Sequence, residues 1–472
     1  MKGMKSVMIL ALSLLVACGG SGDGGGKGGG AGSTTPAPLS LDVDDQWVEQ
    51  SGHVTLSVNV RSLSNSPVEL RWTQVSGPNV EIADPASDTI SFDVDASDES
   101  NDVIFVFNVA ASGEEGHTAS EEVNVHVNKA FEHNIMLRVV RVTPDWMGYD
   151  GVAWTTAVPT GAKTSTGLKY YEAAIWDNDV KAVHLYAFDN DYAPYSSEGW
   201  AMTPEERIAY RESYRVMKFS NMPSYESGKR GTFLRDAFSE IGAYLAAAYP
   251  DSDHHLMYSG HGGPGGALFE GLLGYQDAAD FLAAWSGSLG RNLGVVDMGG
   301  PCNKGAYTDT KNFCQYADYY IASDLPNGGY QLDDHDNYRS VNPEYRYHDI
   351  FADSGTLKEA LTKRIDLKRQ AYLFAYNYMV EHEVEQANYL YSCHEFNTSF
   401  APHFEELALS KNNYLLDDMM TYLADNGAGD DLVSRYQKVI THRADNRDFF
   451  PWAFPWSGMM TPLPGDFDLY SR

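Results

Sequence analysis

His255-Leu-Met-Tyr-Ser-Gly-His261-Gly-Gly-Pro-Gly-Gly266 and, about forty residues on, Leu293-Gly-Val-Val-Asp-Met-Gly-Gly-Pro-Cys302-Asn-Lys-Gly305 share one grammar. In each, an apolar run breaks into glycines around a reactive side chain. Short apolar runs bounded by turn residues read as buried strands. Between the two, residues 277–289 have helical spacing; before them, Phe233, Leu234, Phe238, Ile241 and Leu245 mark a helix over 232–249. Asn134-Ile-Met-Leu-Arg-Val-Val-Arg-Val142 and Val180-Lys-Ala-Val-His-Leu-Tyr-Ala-Phe188 are further strand candidates. Strands alternating with helices predict a largely parallel α/β sheet. Open sheets of that kind carry their sites at the carboxyl ends of the strands, so His261 and Cys302 are expected on one rim.

A cysteine and a histidine on one rim suit nucleophilic catalysis. Imidazole near the sulfur takes its proton and leaves thiolate, the attacking form. Glycines let a substrate backbone come close, and free N–H groups stabilise a developing oxyanion. The plainer readings are a capped loop histidine for His261 and a small buried apolar side chain for Cys302. A phosphate cradle at residues 262–266 is not expected, because no Gly-Lys-Ser/Thr follows.

The ordered set Ser259-Gly-His261-Gly-Gly and Cys302-x-x-Gly305 resembles the clostripain family of caspase-fold cysteine peptidases. In that family one strand ends in His-Gly and another in Asp-Ala-Cys-Leu-Met-Gly. Tyr316-Ala-Asp-Tyr-Tyr-Ile-Ala-Ser-Asp324 is similar to its YADYIIASE strand. Asn221-Met-Pro, Thr232-Phe-Leu-Arg-Asp-Ala-Phe238 and Tyr249-Pro250 are similar to the run before its histidine, and Gln386-Ala-Asn-Tyr-Leu-Tyr-Ser-Cys-His-Glu-Phe396 is faintly similar to its TLSAIDLSKI segment. The resemblance implies a caspase-like α/β sandwich, a mostly parallel sheet with flanking helices over residues 131–345, and a helical C-terminal extension of the catalytic unit over 346–472. Carried onto this chain, it makes Cys302 the nucleophile, His261 the general base and acid, and the N–H groups of Gly262 and Cys302 the oxyanion site. It implies hydrolysis of protein or peptide substrates through a thioacyl-enzyme, with Arg or Lys at P1.

The chain also departs from the family. Gly300 stands where the family has the Asp that floors a basic P1 pocket; Asp297 and Asp324 are the candidate substitutes. Arg291 is the single basic residue between His261 and Cys302, so self-cleavage soon after the histidine is not expected. Residues 148–229 have no register against the family: 134–142 and 180–188 are assigned to its first two strands, but Tyr186-Ala-Phe-Asp-Asn-Asp191 is equally similar to its first.

The N-terminal part has a different composition. Two lysines in the first five residues precede an apolar run over 7–16 that ends Leu15-Val16-Ala17-Cys18. That is an export signal too short to span a bilayer, and its end resembles a bacterial lipobox. Residues 1–18 are thus expected to be a signal peptide that leaves Cys18 lipidated, with several acyl chains anchoring the protein firmly. By resemblance to Gram-negative lipoprotein sorting, Gly19 in place of Asp after the cysteine implies the outer membrane. The alternative is plain secretion with Cys18 a bystander. Residues 19–39 are glycine- and proline-rich and read as a tether. Residues 40–129 alternate in short runs separated by turn residues, which predicts an immunoglobulin-like β-sandwich. Within it, Arg71-Trp-Thr-Gln-Val-Ser-Gly-Pro78 resembles a strand of polycystic-kidney-disease-like (PKD) repeats, with Trp72 a core residue.

The chain has 472 residues, 34 Lys+Arg and 65 Asp+Glu, for a net charge of −31. Such a surface repels phosphates, so nucleic acid is not expected as a partner, while basic peptides and cations are attracted. Cys314 and Cys393 either pair, as an oxidising envelope permits, or remain free thiols. His254, His382, His394 and His403 form no metal-ligand spacing, and no cofactor is required. Asp333, Asp334 and Asp336 read as a solvated acidic loop or as ligands for calcium, which clostripain itself uses. Residues 356–390 have helix-compatible spacing, with Lys358, Lys363, Arg364, Lys368 and Arg369 expected to face outward. The rival to a peptidase is a non-catalytic surface adhesin or peptide-binding lipoprotein on a peptidase scaffold. Oligomeric state has no signature in the sequence.

Overall fold

The computed structural model describes residues 39–43, 46–49, 51–62, 67–95, 103–113, 117–128, 134–142, 168–177, 180–188, 212–260, 262, 273–325, 347–352, 354–411, 418–450 and 457–461. Cys18, His261 and Asp333, Asp334 and Asp336 lie outside the described residues, as do the signal-peptide and tether segments up to residue 38.

Eight strands come first: β1 (Leu39–Asp42), β2 (Gln46–Glu49), β3 (Ser51–Ser57), β4 (Asn59–Ser62), β5 (Val68–Ser76), β6 (Thr89–Asp95), β7 (Val103–Gly113) and β8 (Thr118–Asn128). They form a four-stranded sheet in the order β2-β8-β7-β5 and two-stranded pairs β3–β6 and β1–β4. Alternation along β7 and β8 sends Phe105, Phe107, Val109, Val123, Val125 and Val127 inward, where they meet Val54, Leu56, Ile90 and Phe92. Trp72 is buried among them and donates its indole N–H to Ser87 O at 3.0 Å, so it is a core residue as expected.

A nine-stranded sheet follows. Its elements are β9 (Asn134–Val142), β10 (Leu168–Trp176), β11 (Ala182–Phe188), β12 (Arg215–Ser220), α1 (Arg230–Ala248), β13 (Asp253–Ser259), α2 (Tyr275–Leu289), β14 (Leu293–Asp297), α3 (Tyr307–Phe313), β15 (Ala317–Ala322), α4 (Tyr347–Ala352), α5 (Leu357–Phe374), α6 (Tyr376–Glu381), β16 (Ala387–Ser392), α7 (Ala401–Lys411), α8 (Met419–Asp425), α9 (Asp430–Val439) and β17 (Ile440–Asp445). The order is β12-β11-β10-β9-β13-β14-β15-β16-β17. Strands β10, β9, β13, β14 and β15 are mutually parallel; two antiparallel strands extend the sheet at each side.

Both faces of the sheet are covered. Leu137, Val139, Leu256, Tyr258 and Val296 pack on one side against α1, α2 and α3 and the C-terminal helices α7 to α9. The alternate residues Met136, Val140, Met257, Val295 and Ile321 meet α4, α5 and α6 on the other. Burial on both faces is why these strands read as continuous apolar runs rather than as alternation. Two expectations are corrected here. The helical reading of 356–390 stops at Glu381, and Ala387–Ser392 is a buried strand that pairs with β15. Arg364 and Lys368 do not face outward: they are 1% and 6% exposed.

Candidate active site

Strands β13 and β14 run side by side, with Met257 opposite Asp297, and leave the sheet at the same carboxyl rim. After β14 the chain keeps one more ladder bond, Met298 N–H to Ile321 O at 2.7 Å. It then crosses to the end of β15: Asn303 N–H donates to Leu325 O at 3.0 Å and Gly305 N–H to Ser323 O at 2.6 Å. Asn303 adopts a left-handed φ of 52°, which asparagine tolerates better than most residues. Its side-chain amide donates to Asp324 O at 3.0 Å. A side chain at Gly305 has no room, since a Cβ there would lie 2.7 Å from Asp324 N and 2.8 Å from the Tyr391 hydroxyl. The result is a tight turn over residues 302–305 that presents Cys302 half-buried at the rim.

Gly262 comes directly after position 261 and lies against this turn. A Cβ on it would lie 2.6 Å from Cys302 O, 2.7 Å from Pro301 Cβ and 3.0 Å from Cys302 N. Glycine is needed because two backbones touch. Gly262, from the first of the two glycine-rich stretches, therefore meets the turn formed by the second.

Among the described residues Cys302 is the cysteine outside a disulfide; Cys314 and Cys393 are bonded across 79 positions of sequence. Of the two alternatives left open for those thiols, the structure contains the paired one. The bond joins the residue after α3 to the one after β16.

The two acidic candidates have different surroundings. Asp297 is buried beneath the turn. Arg364 Nε donates to its Oδ2 at 2.8 Å and Nη2 to its Oδ1 at 3.1 Å. The Tyr347 hydroxyl also donates to Oδ2, and Gly299 N–H to Oδ1 at 2.7 Å. Arg364 Nη1 reaches Asn388 Oδ1 at 3.0 Å, and Asn388 donates to the Tyr372 hydroxyl at 3.1 Å. Burial alone would lower the Arg364 pKa; Asp297 more than offsets it, and the guanidinium remains charged. With both oxygens engaged inside the protein, Asp297 is not placed to meet a substrate cation, and that expectation does not fit its surroundings. It anchors the root of the cysteine turn instead.

Asp324, at the end of β15, is 1% exposed and accepts from Gly458 N–H at 3.0 Å. Its other oxygen makes no hydrogen bond among the described residues. Burial first, and then the nearby charge of Asp418, push its carboxyl up to about 7.

Three buried histidines shift the opposite way. Burial lowers His254 to about 4, His255 to about 3 and His184 to about 4. His254 lies between Tyr249 O and the Trp285 indole, His255 bonds Asn134, and His184 bonds Tyr186. Relative to an unfolded value of about 6.5, their contribution to stability is present above that pH and is lost as pH falls toward about 4. The raised Asp324 acts with opposite sign, contributing below its unfolded value and losing that contribution as pH rises through about 7. Near pH 5.5 unfolding is expected to take up a net of about two protons, making stability fall by about 2 kcal/mol per pH unit on acidification. Urea unfolding between pH 5 and 6.5 measures this slope. His255→Gln should flatten it by about one proton; an unchanged slope would show that His255 titrates normally.

No protein-family model matches the sequence, and no curated protein matches it. Solved structures do show likeness. A secreted C11 cysteine protease from Bacteroides thetaiotaomicron, in complex with an irreversible peptide inhibitor, is 9% identical over 73% of this chain and 97% of that one, with a TM-score of 0.49. An inactive zymogen C11 protease from Parabacteroides distasonis is 12% identical over 73% of this chain and 97% of that one, with a TM-score of 0.43. Over the N-terminal strands, a PKD domain from a human protein is 22% identical, covering 22% of this chain and 94% of that one, with a TM-score of 0.18. The C11 enzymes are the clostripain family that the two glycine turns resemble, and PKD domains are the repeats that residues 71–78 resemble.

The sequence reading missed Arg364 and the residues that brace the turn. One signal was available. An aspartate ending the apolar run Leu293-Gly-Val-Val-Asp297 is buried by its position, and a buried carboxylate demands a cation. Which of several basic residues on α5 supplies it depends on how that helix is rotated against the sheet. Among the described residues, no group of three or more His, Cys, Asp or Glu is arranged to hold a metal ion.

Proposed function

We propose that the chain is a cysteine endopeptidase, with Cys302 as nucleophile and His261 as its general base and acid. The contact of Gly262 with the backbone of Cys302 carries this reading, because it joins the two turns on which the chemistry depends. In the first half-reaction the thiol proton passes to His261 and the sulfur bonds the substrate carbonyl carbon. The N–H groups of Gly262 and Cys302 receive the oxyanion. His261 then protonates the departing amine, the C–N bond breaks and a thioester is left. In the second half, water gives His261 a proton and attacks the thioester; the acid departs and the thiol is restored.

The P1 preference proposed is Arg or Lys. The net charge of −31 supports it by drawing in basic segments. Asp324 is the acid favoured here, since Asp297 is engaged by Arg364 whereas Asp324 has an oxygen without a hydrogen bond among the described residues. A substrate cation nearby would ionise it below its present pKa of about 7. The same reading makes the protein an envelope lipoprotein anchored through Cys18, on the outer membrane, with the PKD-like strands as a spacer. Calcium at Asp333, Asp334 and Asp336 belongs to this proposal too.

A peptide-library digest by the wild type and by Asp324→Asn tests the proposal. Wild type should cut after Arg and Lys. The variant should lose roughly tenfold to a hundredfold in kcat/KM on those peptides relative to Ala peptides, the scale of a lost hydrogen bond to a charged group. No cleavage by wild type would overturn the peptidase reading; unchanged P1 preference in the variant would overturn the role of Asp324.

A further inference from the structure

Behind the cysteine turn lies a second buried ion pair. Lys304, two residues after Cys302, is 1% exposed, and its Nζ donates to Asp309 Oδ1 at 3.3 Å. Asp309, on α3, is fully buried. The same Oδ1 accepts from the Tyr275 hydroxyl at 2.9 Å, and Tyr275 is the first residue of α2. The carbonyl of Lys304 accepts from the Tyr320 hydroxyl on β15 at 2.8 Å. One carboxylate oxygen therefore ties the turn to α3 and to the start of α2, the helix downstream of His261 in the chain.

The choice of residue is informative. Lys304 occupies the place of Met in the Asp-Ala-Cys-Leu-Met-Gly pattern, where an apolar side chain would fill the same space. A buried ion pair is seldom more stable than well-packed apolar residues of similar volume, because both charges lose their water. What an ion pair adds is direction: a cation on a long stem has one place to go. Asn303, between Cys302 and Lys304, has a left-handed φ of 52°, a conformation that persists only where its neighbours are fixed.

We propose that Asp309, assisted by Tyr275, is a positioning residue that pins the Lys304 side chain and thereby fixes the turn bearing the Cys302 thiol. The inference rests on the peptidase reading and extends it to residues that do not touch substrate.

The test uses the full chain, a fluorogenic arginyl peptide as the probe, and the pH midpoint of Cys302 alkylation by iodoacetamide as a second readout. The double variant Lys304→Met/Asp309→Leu removes the ion pair and keeps the space filled. It is expected to melt at or above the wild-type temperature. Its kcat should fall about tenfold to a hundredfold with KM nearly unchanged, as small displacements of reacting groups produce. The alkylation midpoint should rise toward the ordinary thiol value of about 8.5. Tyr275→Phe, a milder change, should move both readouts the same way by less. Wild-type kcat and midpoint in the double variant would overturn the proposal. If the double variant does not fold, Tyr275→Phe decides, and an unchanged kcat there overturns it. A wild type that neither cleaves the probe nor shows one fast-alkylating cysteine would bring down the peptidase reading, and this proposal with it. An active wild type beside unaffected variants removes this proposal alone.

Discussion

Replacing Cys302 with alanine is expected to reduce peptide hydrolysis by about 10⁵- to 10⁶-fold in kcat, the scale observed when a covalent nucleophile is removed. The proposed reaction has no second route to a thioester, and the remaining backbone N–H groups would assist only the slow attack of water. Stability should hardly change. Cys302 is half-buried and outside the disulfide, so its loss leaves no large cavity and breaks no cross-link. Casein digestion followed by mass spectrometry, with melting of both proteins in parallel, checks both halves. Turnover within tenfold of wild type would remove Cys302 as the nucleophile. Loss of activity together with loss of fold would show that the cysteine is a packing residue.

The second large effect is on stability. Asp297→Asn should cost about 3–5 kcal/mol in denaturant unfolding, the usual consequence of leaving a buried charge without its partner. The variant would strand the Arg364 guanidinium, which is 1% exposed and donates two of its hydrogen bonds to this carboxylate. It would also disturb the bond from Gly299 N–H that holds the root of the cysteine turn. A Cβ on Gly299 would lie 2.4 Å from Asn388 Oδ1 and 2.5 Å from Arg364 Nη2, so the turn sits directly on the ion pair. Activity should therefore fall along with stability. If Asp297→Asn instead kept its unfolding free energy and changed only the P1 preference, the carboxylate would be a substrate ligand, as the sequence suggested.

The contrast between these two residues shows how far the sequence could be read. Cys302 was recognisable because glycines and an apolar run surround it, and that pattern is local. Asp297 was noticed for the right reason, an acid near the cysteine, and placed in the wrong surroundings. Its partner lies 67 positions away on α5, among five basic residues whose spacing alone made them look alike. Similarly, Leu168–Trp176 was not anticipated as a strand, although it lies beside β9 in the sheet. Residues 387–390 fall within the helix-compatible stretch 356–390, yet Ala387–Ser392 is a strand. Buried on both faces, such a segment has no alternation to reveal its period.

What the chain order alone determined was the alternation of strands and helices, the separate β-rich N-terminal part and the two reactive turns. Those depend on side-chain period and turn chemistry, which are properties of neighbouring residues. The tertiary structure decided which cation reaches Asp297, that Cys314 pairs with Cys393, and that Lys304, Asp309 and Tyr275 converge on one oxygen. Each of these is a contact between segments distant in sequence, set by how helices rotate and dock on the sheet. The cost of burying charge without a partner then selects among the rotations, and no local pattern records that choice.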